Sequence, residues 1–110
     1  MEVLLASELV GMSVLTSDGE LVGEVEDLEI DQGEWRVIKL VLRPSDKIAK
    51  EFGLKRVLRA PRPIKLDAEL VSSLGDVVML SVSSGELRSI IKKSLMGKGT
   101  QEGAPEVKQK

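Results

Sequence analysis

The chain has 110 residues, enough for one domain at the usual scale of roughly 100–200 residues each. Its 16 basic and 18 acidic residues leave a formal net charge of -2, which gives no global field to draw in nucleic acid. Cysteine, histidine, tyrosine and asparagine are absent, so disulfides, thiolate or imidazole metal sites, cysteine nucleophiles and Ser-His-Asp chemistry are excluded.

Taken in chain order, Ala6 to Val10 forms a helical turn that Gly11 ends. Met12 to Thr16 reads as a strand, Ser17-Asp18-Gly19-Glu20 as a tight turn and Leu21 to Ile30 as the second strand of a hairpin. In that second strand the apolar phase slips, because Val25 and Leu28 are three apart where the period is two. A β-bulge at Glu26-Asp27 returns both to the interior. Gly23 lets the strand coil or another backbone approach. Asp31-Gln32-Gly33-Glu34 is a second turn, and Gly19 and Gly33 are expected to supply the turn dihedrals.

Trp35 to Arg43 is a third strand, with Ile38, Leu40 and Leu42 on one face and Trp35, Val37 and Val41 on the other. Pro44 stops it, and Ser45 caps a short helix to Phe52 with Gly53 at its end. Leu54 to Ala60 is expected as a short strand, and Pro61 and Pro63 imply an edge or crossover. Ile64-Lys65-Leu66 is a strand, Ala68 to Leu74 a helical turn ended by Gly75, and Asp76 to Val82 a further strand. Ser83 and Glu86 form a capping box for a last helix, where Leu87, Ile90, Ile91 and Leu95 share a face. Lys92 and Lys93 suit its C-terminal dipole, and Gly97 ends it. The pattern predicts a mainly β fold: a small antiparallel β-barrel with short helices and a C-terminal helix. Residues 1–96 read as the folded domain. Residues 97–110 hold three Gly, one Pro and a single Val, too little apolar surface to offset ordering entropy, and read as a disordered tail.

Three constellations stand out. Seven acids lie between Glu20 and Glu34, among them Glu24, Glu26 and Glu29, with no base until Arg36. They are a cation or basic-partner surface, or simply a solvated strand face. Lys55, Arg56, Arg59, Arg62 and Lys65 follow with no acid among them. They are a phosphate-tracking strip, or a solvated or partner-facing loop. Only Trp35 and Phe52 are aromatic, so base stacking is nearly unequipped and nucleic acid is disfavoured. The two clusters could also pair between subunits, giving orientation more than affinity. Thirdly, Trp35, Val37, Val41, Val77 and Met79 lie opposite the inferred core faces. The closing helix, with Leu87, Ile91 and Leu95, can cover only some of them, which predicts self-association. No metal, phosphate-loop or paired-carboxylate signature is present, so no cofactor, metal or catalytic residue is assigned.

The run from Leu5 to Leu42 carries a composite pattern. It reads Ser7-Glu8-Leu9-Val10-Gly11, then Ser17-Asp18-Gly19, then Val22-Gly23-Glu24-Val25-Glu26-Asp27-Leu28-Glu29-Ile30-Asp31, with Gly33 before Trp35. In order and spacing this resembles the PRC-barrel family, named for the photosynthetic reaction-centre H subunit. Ala68-Glu69-Leu70 and Asp76 to Leu80 suit that family's closing strands, so the likeness spans about residues 4–82. Among family settings, the short stand-alone archaeal members are most similar, the CdpB-like cell-division proteins among them. This resemblance implies a non-enzymatic, oligomerising interaction module of FtsZ-based division. Its partners would be itself, the membrane adaptor SepF and a paralogous PRC-barrel. The alternative it implies is an RNA- or ribosome-associated factor similar to the barrel of RimM. The expected location is cytoplasmic, at the division site, without direct membrane insertion. No apolar run nears the roughly 20 residues of a membrane helix, and Met1 to Leu5 has no basic, apolar leader pattern. The lack of Asn and Cys beside abundant Glu, Lys and Arg fits a heat-adapted proteome.

Overall fold

Hairpin formation starts where the sequence marks it. In the computed structural model, which describes residues 3–98, Gly19 takes φ +90° and donates its N–H to Thr16 O (2.9 Å). This turn joins β1 (Ser13–Leu15) to β2 (Leu21–Asp31). β3 (Arg36–Pro44) and β4 (Ile64–Asp67) continue the antiparallel meander, and β5 (Val71–Leu74) pairs antiparallel with β6 (Val78–Leu80). Three helices complete the described chain: α1 (Ala6–Leu9), α2 (Asp46–Glu51) and α3 (Ser84–Lys98). The sheet order is β4-β3-β2-β1-β6-β5, and the β1–β6 seam is parallel. The fold is thus mainly β with short helices and a C-terminal helix, as expected. The sheet is not closed: β4 and β5 stand at its two ends.

The bulge read from the spacing of Val25 and Leu28 is present. Val25 faces Leu42 and Asp27 faces Val41, so Glu26 is the extra residue. Val25 is buried and Leu28 packs on the core. A second irregularity lies further along, where Glu29 faces Lys39 but Ile30 faces Val37. This leaves Ile38 unmatched on β3 and exposed, although simple alternation places it with Leu40 and Leu42. Gly23 also does what its position suggests. A Cβ there would sit 2.1 Å from the Arg43 carbonyl oxygen, so β2 and β3 approach too closely for any side chain.

The core gathers Val14, Val22, Val25, Leu42, Leu66, Val78 and Leu80 from the sheet, with Ile48 of α2 and Leu54 behind it. Leu87 and Ile91 of α3 are fully buried in the same cluster. Ser83 caps α3 in the predicted box: its Oγ accepts from Glu86 N (3.2 Å), and its N–H donates to Glu86 Oε1 (2.8 Å).

Three local expectations are corrected. Leu54 to Ala60 is not a strand; it holds only a bridge between Arg56 and Arg59, because Pro61 and Pro63 leave no ladder to extend. Ala68 to Leu74 is not one helical turn. A 3-10 turn covers Ala68–Leu70, and Val71–Leu74 crosses into β5, where pairing with β6 outweighs the weak local signal of two serines. α3 also continues through Gly97 to Lys98. From residue 99 onward the expected tail lies outside the described residues.

A charged clasp fastens α3 to the first hairpin. Arg88 donates to Glu20 through both terminal nitrogens (2.7 and 2.9 Å) and through Nε to Glu51 of α2 (2.6 Å). Lys47 adds a bond to Glu20 (3.1 Å). Asp18 accepts from the Thr16 hydroxyl (2.6 Å) and from the Ser84 hydroxyl and N–H (2.9 and 3.0 Å). The hydrogen bonds from Arg88, supported by Lys47, hold the Glu20 carboxyl down at about 2. Thr16 first and Ser84 second lower that of Asp18. Glu20 and Glu51 in turn raise the Arg88 guanidinium. Because Glu20 has a depressed folded-state pKa, its contribution is complete above its ordinary value of 4.5 and is lost as pH falls towards 2. After discounting for solvent screening, this is on the order of 1–2 kcal/mol. Acid titration of the melting temperature should show that loss, and Arg88→Met should flatten the curve over the same window.

Candidate interaction surfaces

The candidate apolar residues separate into three groups. Leu87 and Ile91 are 0% exposed, and Val41 is buried at 9%. They are corrected as interface candidates: α3 lays its Leu87 and Ile91 face on the core, so that surface is spent within the chain. Val77, Met79 and Leu95 are half-buried, with Leu95 packed against the core cluster. Trp35 and Val37 remain exposed, and the second bulge adds Ile38 beside them. Ile30 faces Val37 across the hairpin and is exposed too. Four exposed apolar residues, Ile30, Trp35, Val37 and Ile38, thus lie at the far end of the β2–β3 hairpin.

Trp35 is the unusual member. The Asp31–Trp35 turn closes by a bond from Trp35 N to Asp31 O (2.7 Å), while the Asp31 carboxylate accepts from Gly33 N (2.9 Å). That closure puts the left-handed step on Trp35 (φ +60°) and not on Gly33. The expectation that Gly33 supplies it is corrected accordingly. A bulky L-residue in this region costs about 1–2 kcal/mol, and the indole is 81% exposed, so no burial offsets the cost. Strain retained without local benefit points to a role in contact with something else.

The acidic hairpin is largely neutralised by its own neighbours. Glu20 is held by Arg88 and Lys47, Glu26 lies 3.7 Å from Arg43, Glu29 pairs with Lys65, and Glu34 meets Arg36 at 2.6 Å. Asp27 and Asp31 turn back to backbone N–H groups. Among the described residues, Glu24 has no ion-pair partner, and no three carboxylates converge on a common point. Pairing of Glu29 with Lys65 is a meeting of the acidic and basic clusters inside one chain.

The remaining bases behave differently. Lys55, Arg56, Arg59 and Arg62 meet no carboxylate among the described residues, while the sheet cations Lys39, Arg43 and Lys65 are all paired. They sit on a loop anchored by buried Leu54 and closed by a bond from Arg62 N to Leu54 O (3.0 Å). The neck is the Arg56–Arg59 bridge, and Val57 and Leu58 form the apex, 87% and 98% exposed. Leu58 has φ +62°. It and Trp35 are the two non-glycine residues with positive φ among the described residues, and both are large, apolar and exposed.

The PRC-barrel domain model matches residues 1–87. A search of curated proteins finds no match to the chain. No described helix is long and apolar enough to cross a membrane.

Proposed function

Because the chain belongs to the PRC-barrel domain family, we propose that it is a self-associating, non-enzymatic interaction module acting through the tip of the β2–β3 hairpin. The observation that carries this reading is Trp35, strained and 81% exposed among Ile30, Val37 and Ile38. Tryptophans in such patches supply much of the binding energy at protein interfaces. The more specific role proposed is that of an archaeal FtsZ-based division component that binds a SepF-like adaptor, itself and a paralogous barrel. It rests on the family and on the likeness of the Leu5–Leu42 run to the stand-alone archaeal members.

The tests separate the two levels. Light scattering across concentration should show oligomers, and Trp35→Gly should weaken association by roughly thirtyfold, the effect of losing a contact of about 2 kcal/mol. Glycine suits the left-handed turn, so folding stability should change by no more than about 1 kcal/mol. A monomer at every concentration overturns self-association. Pull-down should capture the SepF-like adaptor with wild-type protein; failure there overturns the division role alone. The RNA- or ribosome-associated reading is favoured by Lys55, Arg56, Arg59 and Arg62, which meet no carboxylate among the described residues. It predicts salt-dependent RNA binding that Arg56→Glu with Arg59→Glu abolishes.

A further inference from the structure

The loop from Leu54 to Pro63 offers an unusually narrow chemistry. Its residues are Leu, Lys, Arg, Val, Ala and Pro, so it holds no carboxylate, hydroxyl, amide or aromatic side chain. It can offer only cationic heads and aliphatic carbon. Arg56 and Arg59 flank the apex, and Lys55 and Arg62 lie further down the two arms. Val57 and Leu58 project beyond them into solvent. The loop is organised before any encounter, because Leu54 is buried, the Arg62–Leu54 bond closes the base and Pro61 and Pro63 stiffen the returning arm. Leu58 occupies the third position of the Arg56–Arg59 turn, where glycine or asparagine is ordinarily found.

An aliphatic apex flanked by cations that meet no carboxylate among the described residues complements a surface with anions outside and hydrocarbon just beneath. We propose that this loop docks on an anionic lipid bilayer: Val57 and Leu58 enter at headgroup depth, while Lys55, Arg56, Arg59 and Arg62 engage lipid phosphates. The contact is interfacial and uses no spanning segment. Phosphate tracking along RNA would use the cations but would leave Val57 and Leu58 idle, and the loop has no aromatic ring on which a base could stack. A single shallow wedge with four cations binds weakly and reversibly. Several copies on one assembly would raise the overall avidity.

Vesicle co-sedimentation of the full chain tests this directly. Wild-type protein should sediment with phosphatidylglycerol–phosphatidylcholine vesicles and not with phosphatidylcholine alone. Arg56→Glu with Arg59→Glu should lower partitioning by about 25-fold or more, at roughly fivefold per lost cation. Leu58→Gly should lower it about tenfold, because the wedge loses its largest side chain while the turn gains a residue suited to it. Far-UV circular dichroism should be unchanged and the melting temperature should not fall in any variant, since residues 56–59 are all exposed and glycine suits the left-handed position of Leu58. Failure of wild-type protein to bind anionic vesicles overturns the proposal. So does vesicle binding that Leu58→Gly leaves intact, which would reduce the contact to charge alone. Preferential binding of single-stranded RNA, insensitive to Leu58→Gly, overturns it in favour of phosphate tracking.

Discussion

Gly23→Ala should destabilise the fold by about 3–4 kcal/mol, among the larger effects of a single substitution. A methyl group at this position would lie 2.1 Å from the Arg43 carbonyl oxygen and 3.0 Å from Leu42 Cδ1. Neither neighbour can yield cheaply. Arg43 belongs to a ladder that also pairs Glu24 and Val25 with β3, and Leu42 is fully buried. The glycine's φ of +156° adds a conformational cost for alanine. At about 4–8 °C per kcal/mol for a domain of this size, the melting temperature should fall by more than 10 °C. Thermal unfolding followed by circular dichroism measures it. A fall of a few degrees would mean that β2 and β3 can separate locally without disturbing the core.

Leu87→Ala and Ile91→Ala should each cost about 2–5 kcal/mol, because both side chains are fully buried beneath α3. These substitutions also test where the association surface lies. If α3 is spent on the core, conditions that keep either variant folded should leave its concentration-dependent light scattering like wild type. Trp35→Gly should show the reverse, normal melting with weakened association. Equal loss of association in the α3 variants, with little change in melting temperature, would move the interface onto the helix.

What the sequence made legible was mostly local. The three-residue step between Val25 and Leu28 announces its bulge, because a period of two cannot otherwise bury both. The Ser83–Glu86 spacing announces α3, and Asp18-Gly19 announces the first turn. Features requiring a partner distant in sequence stayed hidden. Val71-Ser72-Ser73-Leu74 becomes a strand only because β6 is there to pair with it. Ile38 leaves the core face because Ile30 pairs past it with Val37. The acids of the hairpin look like one charged surface until cross-strand register brings Arg43 to Glu26 and Lys65 to Glu29. Helical periodicity groups Leu87 with Ile91 but cannot say whether that face meets this chain's own core or another chain. Trp35 is legible as an exposed candidate, yet its left-handed backbone depends on Asp31 closing the turn two residues beyond Gly33.

The parallel seam between β1 and β6 sets an order of events during folding. Val14 pairs with Val78 and Leu15 with Met79, so the middle of the sheet joins residues more than sixty positions apart. The β2–β3–β4 meander uses nearer neighbours and can form earlier, because loop-closure entropy favours short separations. As the chain emerges during synthesis, β1 must wait with one edge open until β6 arrives, and that interval exposes backbone able to pair with other chains. The Asp18–Ser84 and Glu20–Arg88 contacts join equally distant segments, so weakening them should speed unfolding more than it slows folding.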